Sequence, residues 1–172
     1  MSRKGAKDAK KRFNFFRSMD KQKELRAHLL ELLGGGSAHI GLEKALEDFP
    51  AAKINERPGN SPHSAWELLE HLRIAQWDIV EFCRDARHQS PEFPGGYWPK
   101  NEGTKRDWKR SLEQILRDLQ IMRDLVADEK NDLFAEIPHG DGQTLLREAF
   151  LVADHNAYHL GQIVLLKKML VK

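Results

Sequence analysis

The sequence is poor in cysteine and in long hydrophobic runs. Its one cysteine, Cys83, cannot close a disulfide within the chain, which excludes a small domain held together by internal disulfides. No segment approaches the roughly 20 consecutive apolar residues that a membrane-spanning helix needs. Residues 1–19 also lack the apolar middle of a secretory signal. We therefore expect a protein of the reducing cytoplasm with no membrane partner.

Strand patterns are equally scarce, because no segment shows a sustained alternation of β-branched residues. Leucine-rich segments repeat at helical spacing instead. The 172 residues are enough for one domain around one core. The sequence therefore predicts an all-α domain over residues 20–172.

The small net charge of +2 hides an uneven distribution. Residues 1–19 contain seven Lys or Arg and one acid, so the net positive charge belongs to this segment. We interpret it as a flexible, solvated basic arm. Contact of the arm with nucleic acid or with an acidic membrane surface is the alternative, and it is the less favoured one.

Helix start and stop signals divide the remaining sequence into helical segments. The triple glycine 34–36 is too flexible to continue a helix and favours its end. Ser64 and Glu67 form a capping-box pattern, which is typical of a helix start. The predicted segments span residues 20–33, 37–49, 64–87, 104–128 and 144–170.

Residues 91–99 contain three prolines and two glycines, so this stretch is predicted to be an ordered irregular loop. In the second segment, Ile40, Ala45 and Leu46 are available for burial. Short connections favour helices that pack against their neighbours in sequence. We predict an all-α fold: an up-down-up-down four-helix bundle with a short extra N-terminal helix and an irregular loop between bundle helices 2 and 3.

Two of the eight histidines, His155 and His159, are four residues apart in the last predicted helix. This spacing places both rings on one face, one turn apart, where they can share a metal ion. The same face carries Val152 and Leu166, so it is predicted to point into the core. Buried neutral imidazoles need partners, and a metal ion is one such partner. A hydrogen-bonded core pair is the alternative.

His71 strengthens the metal hypothesis, because it lies on a largely inward stripe of the helix predicted over 64–87. Three neutral nitrogen ligands with one open position match a catalytic zinc site, whereas a structural site usually has a fourth protein ligand. We predict one divalent metal ion held by His71, His155 and His159. Zinc or nickel is preferred, and iron or manganese would also accept this ligand set.

The remaining histidines are not expected to be ligands. His28 lies in a charged helix. For His39, a position that lines the site remains an open alternative. Cys83 is interpreted as a core cysteine rather than a ligand or nucleophile. Three more histidines lie in or beside predicted turns and are expected at the surface: His63, His88 and His139.

Asn156 argues against a metalloprotease, because the zinc-binding motif of that class has glutamate as general base at this position. No catalytic residue can be assigned from the sequence. Glu148 and Gln162 share the ligand face by helical phase and can support the ligands, as can Asp154. Further supporting candidates are Glu67, Glu70 and Asp78.

Four stretches carry a resemblance to the DinB-like (YfiT-type) superfamily of four-helix metal-binding proteins. They are Trp66-Glu-Leu-Leu-Glu-His71-Leu-Arg-Ile-Ala-Gln-Trp-Asp78, Tyr97-Trp98-Pro99, Gly140-Asp-Gly-Gln-Thr144 and Asp154-His-Asn-Ala-Tyr-His-Leu-Gly-Gln162. The resemblance covers roughly residues 25–170. It implies an up-down-up-down bundle whose metal is held by the positions of His71, His155 and His159.

The resemblance also implies a function. The family is similar to thiol-dependent transferases and isomerases, in which a metal can bind a low-molecular-weight thiol, and its members often form homodimers. We therefore expect a metal-dependent transferase or hydrolase that acts on a small molecule, with a homodimer as its assembly. The alternative is a metal- or ligand-binding stress-response protein without turnover.

Overall fold

The computed structural model describes residues 21–35 and 37–171. These residues form five α-helices and no β-strand, with one isolated β-bridge between Glu136 and Thr144. None of the helices within the described ranges is long and apolar enough to cross a membrane. The all-α prediction is confirmed, whereas the basic arm predicted over 1–19 lies outside the described residues. The helices are α1 (residues 21–34), α2 (Leu42–Glu47), α3 (Ala65–Arg84), α4 (Lys105–Ala127) and α5 (Leu145–Leu170).

The ends of α1 and α3 follow local sequence chemistry. Gly35 has a φ of +65°, a left-handed conformation that ends α1 where the triple glycine predicts. Ser64 caps α3: its hydroxyl accepts from the Glu67 amide at 3.2 Å, and its own amide donates to the Glu67 carboxylate at 2.8 Å. The helix ends at Arg84 rather than near Arg87, because Asp85 is extended and its carboxylate accepts from the Arg87 amide.

The second helix is shorter than predicted. It covers only Leu42–Glu47, because Gly41 before it is extended and residues 37–40 precede the helix. Ala45 and Leu46 are buried as expected. Ile40 is 41% exposed, so the prediction that it contributes to the core is wrong.

The connection between α3 and α4, residues 85–104, runs back along α3. This path is visible in hydrogen bonds that progress from the end of α3 to its start: His88 with Asp78, Tyr97 with His71, and Asn101 with Trp66. The connection therefore delivers α4 beside the beginning of α3.

As a result, α3 and α4 run in the same direction. Glu70 accepts from the Ser111 hydroxyl at 2.6 Å, and further along both helices Gln76 donates to the Ile115 carbonyl at 2.5 Å. The predicted up-down-up-down order is wrong for this pair. Short connections would force antiparallel neighbours, but a 20-residue connection is long enough to span α3 at about 1.5 Å of helix rise per residue.

The other two long helices run the opposite way. Arg26 of α1 donates to the Val126 carbonyl near the end of α4, while the Leu30 carbonyl accepts from Arg123, one turn earlier in α4. The two core clusters also show that α5 is antiparallel to α3 and α4. One cluster joins the starts of α3 and α4 to the end of α5, and the other joins their ends to its start. The order of α1, α3, α4 and α5 is therefore up-down-down-up.

The parallel arrangement of α3 and α4 can be tested by a double-mutant cycle on Glu70 and Ser111. We expect the effects of Glu70→Ala and Ser111→Ala on the free energy of unfolding to be coupled by about 1 kcal/mol. Either single variant already removes the hydrogen bond between the two side chains, so the double variant cannot lose it a second time. Urea unfolding of the two single variants and the double variant measures the coupling. Glu70→Ala combined with Gln120→Ala serves as the control and should be additive. Additivity of the first pair would contradict the parallel order.

Candidate metal centre

Three histidines from α3 and α5 converge inside the bundle. His71 comes from α3, His155 and His159 come from α5, and one nitrogen of each ring lies within 4.8 Å of the others. The Nε2 atoms of His71 and His155 are 3.1 Å apart. The three rings meet edge to face, with centroids 4.6–5.0 Å apart. The structure therefore brings together the three residues that the sequence predicts as ligands.

Hydrogen bonds occupy the outer nitrogens of two of these rings. His71 Nδ1 donates to the Tyr97 carbonyl at 2.9 Å, and His159 Nδ1 donates to Gln162 Oε1 at 3.0 Å. With the proton on Nδ1, each ring presents the lone pair of Nε2 toward the cluster. Gln162 thus contacts a triad ring, as its helical phase predicts.

Burial keeps the three rings neutral. It lowers the pKa of His71, His155 and His159, and neighbouring imidazoles lower all three pKa values further. The pKa of His155 falls to about 4. Neutral imidazole is the form that binds a metal, so the cluster needs to release no proton from these rings at neutral pH.

The donor set fits a divalent metal ion. At zinc–nitrogen distances of roughly 2.0–2.1 Å, tetrahedral ligand atoms lie about 3.3 Å apart. The pair His71–His155 is already near this separation, and the widest separation in the cluster, at most 4.8 Å, requires a ring movement of about 1.5 Å. Three such ligands leave one position open for water or substrate.

The returning connection holds His71 in place. The Trp98 ring stacks on the His71 ring at a centroid distance of 4.1 Å and an angle of 7°. Buried Asp78 accepts from the Tyr97 hydroxyl at 2.6 Å and from His88 Nε2 at 2.7 Å, which fixes the loop that supplies the Tyr97 carbonyl. The His88 side chain is only 9% exposed, so its predicted surface position is wrong. The one feature of the sequence that indicated a buried partner for His88 was the position of Asp78 on the inward stripe of its helix.

Sequence reasoning also missed His63. Its ring stacks on Trp98 at 4.2 Å and lines a cavity of about 600 Å³ that His159 and Gln162 also line. A surface position was expected because His63 lies in a polar turn, but that turn folds against α5 and leaves the residue half-buried. Its place could not be read from local sequence.

The carboxylate candidates lie elsewhere. Asp154 is exposed, whereas Glu148 is buried beside Arg147 and two helical turns before His155. In the described part of the chain, no carboxylate is hydrogen-bonded to a triad ring. The remaining two carboxylates have other partners: Glu67 binds Arg57 and caps α3, and Glu70 binds Arg73 and Ser111.

Cys83 packs against the core as the sequence predicts, and the exclusion of a metalloprotease on the basis of Asn156 stays a prediction. Asn156 is buried and donates to Gln76 Oε1 at 2.7 Å, so it belongs to the core and not to the open side of the cluster. Burial raises the pKa of the Cys83 thiol to about 12, which keeps it protonated. Three histidines are exposed and outside the cluster: His28, His39 and His139.

Comparison with known proteins identifies the family. Neither a curated protein nor a solved structure matches the chain. A family model of the DinB superfamily matches residues 41–163, which is more than two thirds of the chain and includes all three clustered histidines. The chain therefore belongs to the DinB superfamily.

Proposed function

We propose that this chain is a metal-dependent enzyme that holds one divalent ion through His71, His155 and His159. It acts on a small molecule as a thiol-dependent transferase or a hydrolase, with zinc or nickel as the preferred ion. One observation carries the proposal: three neutral imidazoles converge, the outer nitrogens of two rings are already hydrogen-bonded, and one of the three, His159, lines an open cavity. This is the arrangement expected of ligands with an open coordination position.

A bound ion would lower the pKa of a thiol or water that coordinates it. The chain supplies the remaining functions. The Tyr97 carbonyl and Gln162 orient two ligand rings, and the Trp98 ring covers one face of the His71 ring. Apart from the proposed ligand His159, His63 is the one imidazole among the described residues that lines the cavity. We assign to His63 the transfer of a proton to or from the substrate.

A metal- or ligand-binding stress-response protein without turnover is the second candidate. It is favoured by one observation, because no carboxylate of the described residues contacts the three histidines, and a general base of that type is therefore missing. Turnover of any thiol or hydrolysable compound by the metal-loaded protein separates the two candidates, since a binder shows affinity alone.

The homodimer and the cytoplasmic location are also proposals. Phe150 of α5, which is 45% exposed and does not line the cavity, supports the homodimer, because a second copy could cover it. The molecular mass in sedimentation equilibrium tests this assembly.

Metal content tests the ligand assignment. We expect about one divalent ion per chain in the protein purified without a histidine tag, and a loss of most of it in His71→Ala, His155→Ala and His159→Ala, because each variant leaves only two ligands. Elemental analysis gives the content, and circular dichroism shows that the variants are folded. His39→Ala, which removes an exposed histidine, is the matched control. Equal metal content in all five proteins would exclude the site.

The contact between Tyr97 and Asp78 gives a second prediction. Tyr97→Phe removes the hydroxyl that binds Asp78 and should weaken metal binding about tenfold, because the loop that orients His71 loses its anchor. The only other tyrosine, Tyr158, provides the control, and Tyr158→Phe should leave the affinity within about twofold. Competition with a chromophoric chelator measures both dissociation constants. An unchanged affinity in Tyr97→Phe would contradict the anchoring role.

The pKa of His155 predicts how the stability of the metal-free protein depends on pH. This pKa is near 6.5 in the unfolded chain and about 4 in the fold, so the unfolded chain binds a proton first as the pH falls. The contribution of His155 is fully present above pH 6.5 and is lost toward pH 4. We expect the loss of this contribution to lower the free energy of unfolding by about 1 kcal/mol as the pH falls from 7 to 5.

Urea unfolding with a chelator at pH 7, 6 and 5 measures this dependence. His155→Gln lacks the titrating ring and should show a smaller decline than the parent protein. Identical declines in the two proteins would show that the ring is not protected from protonation.

A further inference from the structure

The cavity that His159 lines has an apolar wall. Pro58 and Pro62 contribute to it from the turn before α3. Its larger side chains come from α3, α5 and the returning connection: Leu68, Trp98, Tyr158, Leu165, Leu166 and Met169. Three of these, Tyr158, Leu165 and Met169, are about half exposed or more, so the cavity is open to solvent on one side.

Charged side chains are absent from this wall. Of the residues that the structure describes, no Lys, Arg, Asp or Glu lines the cavity. The lining side chains with polar atoms are those of Ser61, His63, Trp98, Tyr158, His159 and Gln162. A charged group placed there would lose water without gaining a counter-ion, which costs free energy. The wall therefore favours an uncharged occupant.

The cavity reaches the histidine cluster through His159, the one histidine of the three that lines it. His159 and Gln162 form its inner end, and Leu166 and Met169 follow on the next turns of the same helix. An occupant that lies along α5 thus reaches from the cluster toward the end of the helix. The volume of about 600 Å³ is that of a pocket for a small molecule.

We propose that this cavity binds the uncharged, apolar body of a substrate whose polar head reaches the metal. This inference rests on the proposed function and specifies its substrate class. It also restricts the thiol hypothesis. A low-molecular-weight thiol with charged groups must keep them outside the cavity, so the apolar body belongs to the other reactant or to an uncharged part of the thiol.

Alkyl hydroxamates provide a direct test, because their head binds divalent metals and their chain length can be varied. The protein is first loaded with zinc and its metal content is measured. Isothermal titration calorimetry then compares acetohydroxamate with octanohydroxamate. A buried methylene strengthens binding about fourfold, and about twofold if half its surface stays wet. Over six additional carbons we expect octanohydroxamate to bind at least tenfold more tightly.

Suberic monohydroxamate tests the preference for an uncharged body. It has the same chain length and ends in a carboxylate, so it should lose most of the gain that octanohydroxamate shows. Equal affinity of the two long compounds would overturn the charge preference and with it the proposal.

Two matched variants test whether the alkyl chain of octanohydroxamate lies in the cavity. Leu165→Gln places an amide in the wall and should reduce the gain of octanohydroxamate several-fold without changing the affinity for acetohydroxamate. Leu151→Gln changes an exposed leucine on the same helix that does not line the cavity, and it should leave both affinities unchanged. An equal effect of the two variants would overturn the proposed location of the alkyl chain in the cavity. The same result is expected if a second copy of the protein covers this face, because the alkyl chain could not then reach Leu165.

The outcomes separate this inference from the proposed function. If the chain takes up no metal, both proposals fail, and this is known before any hydroxamate is added. If metal and acetohydroxamate bind but octanohydroxamate binds no more tightly than acetohydroxamate, the metal site stands and the inference on the substrate is overturned.

Discussion

Buried Asp78 is the anchor on which the arrangement of this bundle depends. Its carboxylate holds both His88 and Tyr97, and these two contacts fix the connection that runs back along α3. Because the connection returns to the start of α3, α4 must run parallel to α3. The same return brings the Tyr97 carbonyl to His71 and stacks the Trp98 ring between the rings of His71 and His63. The direction of α4 and the orientation of the His71 ring thus depend on the same buried carboxylate.

Local chemistry made several elements predictable. The capping box at Ser64 fixes the start of α3, and the four-residue spacing of His155 and His159 places both rings on one face regardless of the rest of the fold. His71 could be added because it lies on an apolar stripe that must face the core. These features depend on neighbours within about one helical turn, and a sequence displays such neighbours directly.

Features that depend on the path of a loop were not predictable in this way. The direction of α4 depends on the route of residues 85–104, and periodicity carries no information about that route. His88 and His63 lie in or beside turns, where exposure is the default, yet one binds Asp78 and the other stacks on Trp98. Glu148 shares the helical phase of His155 but lies two turns away along the axis. Phase alone does not establish contact.

The up-down-down-up order has an electrostatic consequence. Each end of the bundle carries two helix N-termini and two C-termini, so the partial charges of the helix dipoles largely cancel there. The clustered histidines also lie well inside α3 and α5, beyond the terminal turns where a dipole acts strongly. The axial field at the three rings is therefore weak. Their lowered pKa values therefore depend mainly on burial, and any opening of the bundle that admits water would return the pKa of each imidazole toward 6.5.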